Sequence, residues 1–282
     1  MAGAQITIAH PLPPERVVLI PCSASSARQW SALVEQLAGF APVPLDLRGH
    51  GDRPHWHGAG ALSLSAEAAA IEQACPDGAP FHLVGHSYGG AAALAFAASH
   101  ADRLRSLTLI EPSSFHILKA AKGGSHLLEE IATMAEAVNR DVLCGDYRAA
   151  MQTFIDYWAG PGSWKSMPEK KKEQLARLAT HIAHHFCALM EEPATLADYA
   201  EIEVPTLILC GTESPRPSRA ITRLLAEAMP RARHRTIPNA GHMSPITHPA
   251  EVNAFILAHI SMNGAPTASA GSREDAGRRH AA

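Results

Sequence analysis

The sequence predicts an α/β fold: a mostly parallel sheet of about seven to eight strands flanked by helices, interrupted by an all-helical insertion. Short apolar runs alternate with helix-period stripes from the start of the chain to about Pro112. The alternation then stops and resumes at Pro205. Several of the runs are apolar at successive positions, as in strands buried on both faces of a parallel sheet.

In order, Ile6–Ala9 is a short strand candidate, and the run RVVLIP over Arg16–Pro21 is a buried strand. Ser26–Leu37 reads as a helix, with Ala27, Trp30, Val34 and Leu37 as its apolar stripe and Gly39 as its stop. Val43–Leu47 is the next strand, followed by the turn-rich RGHGDRPHWHG. Leu64, Ala68, Ile71 and Cys75 stripe a second helix, Phe81–Gly85 is a strand, and Gly89–Ser99 is an alanine-rich helix suited to close packing on a sheet. Leu104–Ile110 is a further strand. Between Pro112 and Ile202 only helical patterns occur, with Leu175, Leu178, Ile182, Phe186 and Leu189 forming one stripe. Pro205–Cys210 and Arg233–Ile237 are then strands, and Ser218–Met229 and Pro249–Ile260 helices, the last with its proline in the first turn.

This pattern divides the chain into a core domain at 1–112 and 203–262, a helical cap at 113–202, and a tail at 263–282 whose Ala, Gly, Ser and Arg content predicts disorder. An insertion at that point sits above the carboxyl ends of the strands, where open α/β sheets bind ligands.

Of the 282 residues 46% are hydrophobic and 18% charged, with a net charge of -3, so no strong field draws the chain to nucleic acid or to an anionic membrane. A small, weakly charged molecule is the expected partner. Cys22, Cys75, Cys144, Cys187 and Cys210 are scattered, odd in number and form no CxxC pair, which predicts reduced thiols in a reducing compartment. The N-terminal MAGAQITIAHPLPPER has no basic head followed by an apolar run, and no apolar stretch is long enough to span a bilayer. A cytoplasmic location is expected. The sequence carries no signal for the oligomeric state.

Gly85-His86-Ser87-Tyr88-Gly89 is a G-x-S-x-G turn with an apolar strand before it and a helix after it. A serine hydroxyl is a poor nucleophile unless exposed beside a base, and a sharp strand-to-helix turn provides the exposure. The base is expected after the last core strand, in Ile237-Pro238-Asn239-Ala240-Gly241-His242-Met243. Among 17 histidines, His242 is selected by its loop position; His234 lies within a strand and His248 too near the final helix.

VVLIPCSASSARQW, LDLRGHG, VGHSYGG, LTLIEP and NAGHM together resemble the α/β-hydrolase superfamily, over about residues 15 to 262. The chain is similar to small bacterial serine hydrolases with a helical cap. The resemblance implies Ser87 as nucleophile, His242 as base and an acid that orients the imidazole. Most members carry an aspartate just past the strand that follows the cap; here Ser214 stands at that place. Two carboxylates can substitute. Glu111 ends the strand before the cap, a position some members use, and is preferred; Glu213, one residue early, is the alternative acid.

The resemblance also implies an oxyanion hole made by the backbone N–H groups of Tyr88 and Ser23, although Pro21-Cys22 replaces the usual His-Gly before Ser23. Cys22 reads as a small buried thiol, and His50 as a residue that shapes its loop. In the cap, Tyr157 and Trp158 are candidates to face substrate. His181 and His185, at i and i+4, have metal-binding spacing but no third ligand, so no metal site is assigned and no cofactor is expected. The expected activity is hydrolysis of a small carboxylic ester, thioester or lactone through an acyl-enzyme. The alternatives are C–C bond hydrolysis or acyl transfer on the same fold, or a non-catalytic ligand-binding protein.

Overall fold

Six parallel strands in the order β2-β1-β3-β4-β5-β6 form the sheet. They are β1 (Arg16–Ile20), β2 (Ala41–Pro44), β3 (Phe81–His86), β4 (Leu104–Ile110), β5 (Thr206–Gly211) and β6 (Ala232–Ile237). The computed structural model describes residues 13–51, 53, 62–121 and 123–264. The strand candidate Ile6–Ala9 and residues 265–282 of the predicted tail lie outside them. Six strands are therefore observed among the described residues, against the seven to eight expected, and the fold class is the one the sequence predicts.

Buried strand residues alternate between two cores. Val18 and Ile20 of β1 join one hydrophobic cluster, Val17 and Leu19 the other. Burial on both faces is why β1 reads as an unbroken apolar run. The chain leaves β1 toward β2 on one side and later returns to pair β3 on the other. That reversal opens a crevice at the carboxyl ends of β1 and β3.

Three elements differ from the sequence reading. The second strand begins at Ala41 and ends at Pro44, not Val43–Leu47. It lies at the sheet edge, where Pro42 and Pro44 need not donate to a further strand. The first helix shrinks to a 3-10 turn at Ala27–Trp30 followed by α1 (Ser31–Val34). The single stripe from Leu175 to Leu189 is split, because the chain turns at Leu178, whose N–H donates to Leu175 O (2.8 Å).

Elsewhere the helices fall where they are expected. α2 (Leu64–Ala74) is capped by the Ser63 hydroxyl, and α3 (Tyr88–Ser99) packs Ala91, Ala92, Ala93 and Ala97 at almost no exposure. The segment between β4 and β5 holds α4 (Gly124–Leu143), α5 (Tyr147–Ala159), α6 (Ser163–Ser166), α7 (Glu169–Ala176), α8 (Ala179–Met190) and α9 (Leu196–Ala200). After β5 come α10 (Arg216–Ala228), α11 (Ser244–Thr247) and α12 (Pro249–Met262). Close packing of α3 on the sheet requires glycine at two points. A Cβ at Gly85 would lie 2.4 Å from Gly89 O, and one at Gly89 would lie 2.3 Å from Pro21 O. Without those two side chains, the loop after β1 and the turn after β3 can touch.

Candidate active site

Ser87 sits at that turn with φ 57° and ψ −120°, a conformation that costs a non-glycine residue roughly 1–3 kcal/mol. Backbone bonds hold it there. Its N–H donates to Ile110 O (2.9 Å), and its carbonyl accepts from Ala91 N–H (3.0 Å) and Ser113 N–H (3.1 Å). The result aims the side chain at the crevice.

His242 follows β6, and its Nε2 lies 2.9 Å from Ser87 Oγ. Its Nδ1 lies 2.8 Å from Glu111 Oε2. Carboxylate oxygens only accept, so Nδ1 carries the proton and Nε2 is left to accept from the Ser87 hydroxyl. Glu111 is fully buried at the end of β4, with φ 44°. Its other oxygen accepts from Gly211 N–H (2.9 Å) and Ser214 Oγ–H (2.5 Å). Burial alone would raise the Glu111 pKa. The hydrogen bond and charge of His242, with the Gly211 and Ser214 donors, outweigh burial and hold the group below the ordinary carboxylate value.

Of the two sequence candidates, the structure brings Glu111 to His242 and leaves the Glu213 side chain exposed. Ser214, standing where an aspartate was expected, donates to the carboxylate that comes from the neighbouring strand.

A second network ties the His242 loop to the loop after β1. His86 Nε2–H donates to His242 O (2.9 Å), so its Nδ1 accepts from the Gln29 amide (3.1 Å). Gln29 Oε1 then accepts from Cys22 N–H and Cys22 Sγ–H, both at 3.2 Å. Burial, with the adjacent His242, pushes His86 down to about 3 and keeps it neutral. Burial pushes the Cys22 thiol up to about 12, so it is a packed thiol. With the Cys22 N–H spent on Gln29, Ser23 is the next residue whose N–H can face the crevice. Tyr88 opens α3, where the N–H has no intrahelical acceptor.

The crevice is a tight cavity of about 10 Å³, room for about one water molecule, beneath the helical segment. Ser23, Ser87, Ser113 and His185 provide its polar lining, and Phe115, Phe154, Trp158, Ile182, Phe186 and Leu189 its apolar wall. No lysine or arginine is among these lining residues. Ser113 Oγ lies 3.1 Å from Ser87 Oγ. The Trp158 ring lies 4.3 Å from the His242 ring and shields it from solvent.

Tyr157 does not share this position. Its hydroxyl donates to Glu130 Oε1 (2.6 Å) and its side chain is absent from the lining, because adjacent residues of α5 point to different faces. His50 shapes its loop as expected, accepting Ala24 N–H at Nε2 (3.1 Å) and bonding Arg48 O through Nδ1 (3.1 Å). Among the described residues, no group of three or more His, Cys, Asp or Glu side chains gathers as a metal site. No helix there is long and apolar enough to cross a membrane.

Sequence reasoning missed Gln29, His86, Ser113 and Ser214 as parts of this site. His86 and Ser214 lay inside the recognised motifs, at x of G-x-S-x-G and at the vacant acid position. Gln29 and Ser113 carried no motif signal.

The sequence pattern of the Alpha/beta hydrolase family matches residues 17–255. A 2-hydroxy-6-oxononadienedioate/2-hydroxy-6-oxononatrienedioate hydrolase of Paraburkholderia phymatum is 24% identical over 264 residues, 86% of each chain. A pimeloyl-[acyl-carrier protein] methyl ester esterase of Neisseria meningitidis is 37% identical over 109 residues, 38% of this chain and 40% of the esterase. Among solved structures, MGS-M2, an alpha/beta hydrolase enzyme from a Medee basin deep-sea metagenome library, aligns with TM-score 0.72 at 19% identity, covering 90% of this chain and 92% of that one.

Proposed function

Since this chain belongs to the alpha/beta hydrolase family, we propose that it is a serine hydrolase acting on a small neutral carboxylic ester, thioester or lactone. The observation that carries the reading is the unbroken line Ser87–His242–Glu111, with contacts of 2.9 and 2.8 Å. Ser87 Oγ attacks the carbonyl carbon while His242 Nε2 takes its proton. Glu111 stabilises the imidazolium that forms. The Ser23 and Tyr88 N–H groups receive the tetrahedral oxyanion. Collapse expels the alcohol or thiol, protonated by His242, and leaves Ser87 acylated. Water, deprotonated by His242, attacks the acyl carbonyl, and the carboxylic acid departs with Ser87 restored.

The lining supports the choice of substrate class. An apolar wall of aromatic side chains suits an apolar acyl group, and the tight space between Ser87 and that wall favours a short one. A free carboxylate on the acyl chain would be desolvated with no lining cation to meet it. This disfavours dicarboxylate substrates such as the one in the name of the Paraburkholderia relative. Residues 113–202 act as the cap that closes over the acyl chain. Five free cysteines, two of them exposed, favour a reducing cytoplasmic setting.

The test is labelling with a fluorophosphonate probe and turnover of p-nitrophenyl esters. Wild type is expected to label and turn over short neutral acyl esters, with both lost in Ser87→Ala. A hemisuccinate ester is expected to react at least tenfold more slowly than a butyrate ester. Labelling that survives Ser87→Ala would end the reading.

A further inference from the structure

A second serine–histidine contact borders the same cavity. Ser23 Oγ lies 2.7 Å from His185 Nδ1, joining the loop after β1 to α8, 162 residues away. The imidazole is held flat. It stacks on the Tyr88 ring at 3.7 Å and 9° on one side, and on the His50 ring at 5.1 Å and 14° on the other. His50 is itself fixed by its bonds to Ala24 N–H and Arg48 O. His185 is 2% exposed, and its Nε2 has no hydrogen-bond partner among the described residues.

That unpartnered nitrogen decides where the protons lie. If His185 Nδ1 accepted from Ser23, Nε2 would carry a buried N–H with nothing to receive it. If Nδ1 donates to Ser23, Nε2 holds only a lone pair, and the more costly orphan donor is avoided. Burial, reinforced by His50, His181 and His184, keeps the ring neutral, so one nitrogen must lack a proton. With Nδ1–H donating to its oxygen, the Ser23 hydroxyl has its own proton to direct into the cavity it lines.

We propose that the Ser23 hydroxyl is a third donor to the oxyanion, beside the two backbone N–H groups, and that His185 is the positioning residue that turns its proton toward the reacting carbonyl oxygen. The inference rests on the serine-hydrolase reading and deepens it. No proton changes owner in this role: Ser23 O–H donates a hydrogen bond that strengthens as negative charge develops on the substrate oxygen. It also gives the helical segment a part in catalysis, because α8 brings the group that aims Ser23.

The experiment compares Ser23→Ala, Ser23→Thr, His185→Phe and the double variant Ser23→Ala/His185→Phe on a short-chain p-nitrophenyl ester. Binding of an aryl trifluoromethyl ketone, whose Ser87 adduct carries the oxyanion, is measured beside binding of the product carboxylate. Ser23→Ala is expected to lower kcat by roughly 100-fold, the effect of removing one oxyanion donor, with KM within threefold. It should weaken the ketone by a similar factor and leave the carboxylate unchanged. Ser23→Thr, which keeps a hydroxyl, should recover most of the rate. His185→Phe keeps a flat ring in the stack and should lower kcat by about tenfold, while the double variant should be no slower than Ser23→Ala alone. Melting temperatures separate these effects from misfolding, and Ser23→Thr remains informative if Ser23→Ala is unstable. A folded Ser23→Ala within twofold of wild type in kcat, or equal losses for ketone and carboxylate, overturns the inference and leaves the hydrolase reading standing. A wild type that neither labels with fluorophosphonate nor turns over esters brings down both.

Discussion

Two serine–histidine pairs border one cavity, and they differ in what stands behind the imidazole. Behind His242 is Glu111, a buried carboxylate that fixes the tautomer and can stabilise a positive ring. Beside His185, among the described residues, stand two stacked aromatic rings, and its Nε2 lone pair meets no donor. The Ser87–His242 contact is 2.9 Å and the Ser23–His185 contact 2.7 Å, so distance does not distinguish them. The third group does. With it, a histidine can take a proton; without it, a buried histidine stays neutral and can only direct a hydrogen bond.

The most damaging test of this contrast removes the third group. Glu111→Gln keeps the size of the side chain but loses the charge and can leave His242 in the wrong tautomer. kcat should fall by roughly 10³- to 10⁴-fold, in keeping with loss of a triad acid. Glu213→Gln, altering an exposed side chain, should stay within about twofold. Steady-state kinetics on one ester checks both. Equal losses in the two variants would mean that Glu111 does not distinguish the pairs.

Why the sequence exposed one pair and concealed the other follows from what each depends on. Ser87 is defined by its neighbours: glycines at 85 and 89, a strand before and a helix after. His242 is defined by its place after the last strand. Both facts survive in one dimension. Glu111 is preferred over Glu213 from its place at a strand end, but its partners follow only from the register of β4 against β5, which sets Ile110 beside Leu209 and carries Glu111 to Gly211 and Ser214. In the sequence His185 reads as half of a metal spacing, because its partner lies 162 residues away across the cavity. That the sheet is mostly parallel was implied by the alternation of elements. The edge strand shifted because an edge tolerates prolines that a sequence reading counts against a strand.

Acid should expose the difference next. His185, His86 and His116 are all held neutral, with pKa values lowered chiefly by burial. His185 also faces His50, His181 and His184; His86 faces His242, with Glu111 opposing; His116 faces Lys119. The unfolded chain therefore binds protons below about pH 6.5 that the folded chain refuses. Their stabilising effect is complete above that pH and declines as pH falls toward the folded values, about 3 for His86 and about 4 for His116. Each such histidine costs up to about 2 kcal/mol between pH 7 and pH 5. Denaturant titrations should show that loss in wild type and a shallower one in His185→Phe. An unchanged slope in His185→Phe would mean that the ring accepts a proton in the folded state.

Ser214 tests how the acid is held. A hydrogen bond to a charged acceptor contributes about 1.5 kcal/mol or more, so Ser214→Ala should lower kcat by roughly tenfold. Ser214→Asp placed in the Glu111→Gln background returns a carboxylate to the position where the family usually has one. It should recover at least tenfold of the lost rate, and no recovery would mean that the β5 end cannot reach His242.

The smallest effect belongs to the pair of neighbours on α5. Trp158 lies 4.3 Å from the His242 ring, while the Tyr157 hydroxyl is committed to Glu130 on the side facing α4. Tyr157→Phe should therefore leave kcat/KM within about twofold and cost only about 1 kcal/mol in stability, the worth of one part-buried hydrogen bond. Esterase kinetics beside thermal melting separates the two quantities. A tenfold fall in kcat/KM with an unchanged melting temperature would place Tyr157 against substrate. It would also mean that the helical segment moves in solution far enough to exchange one face of α5 for the other.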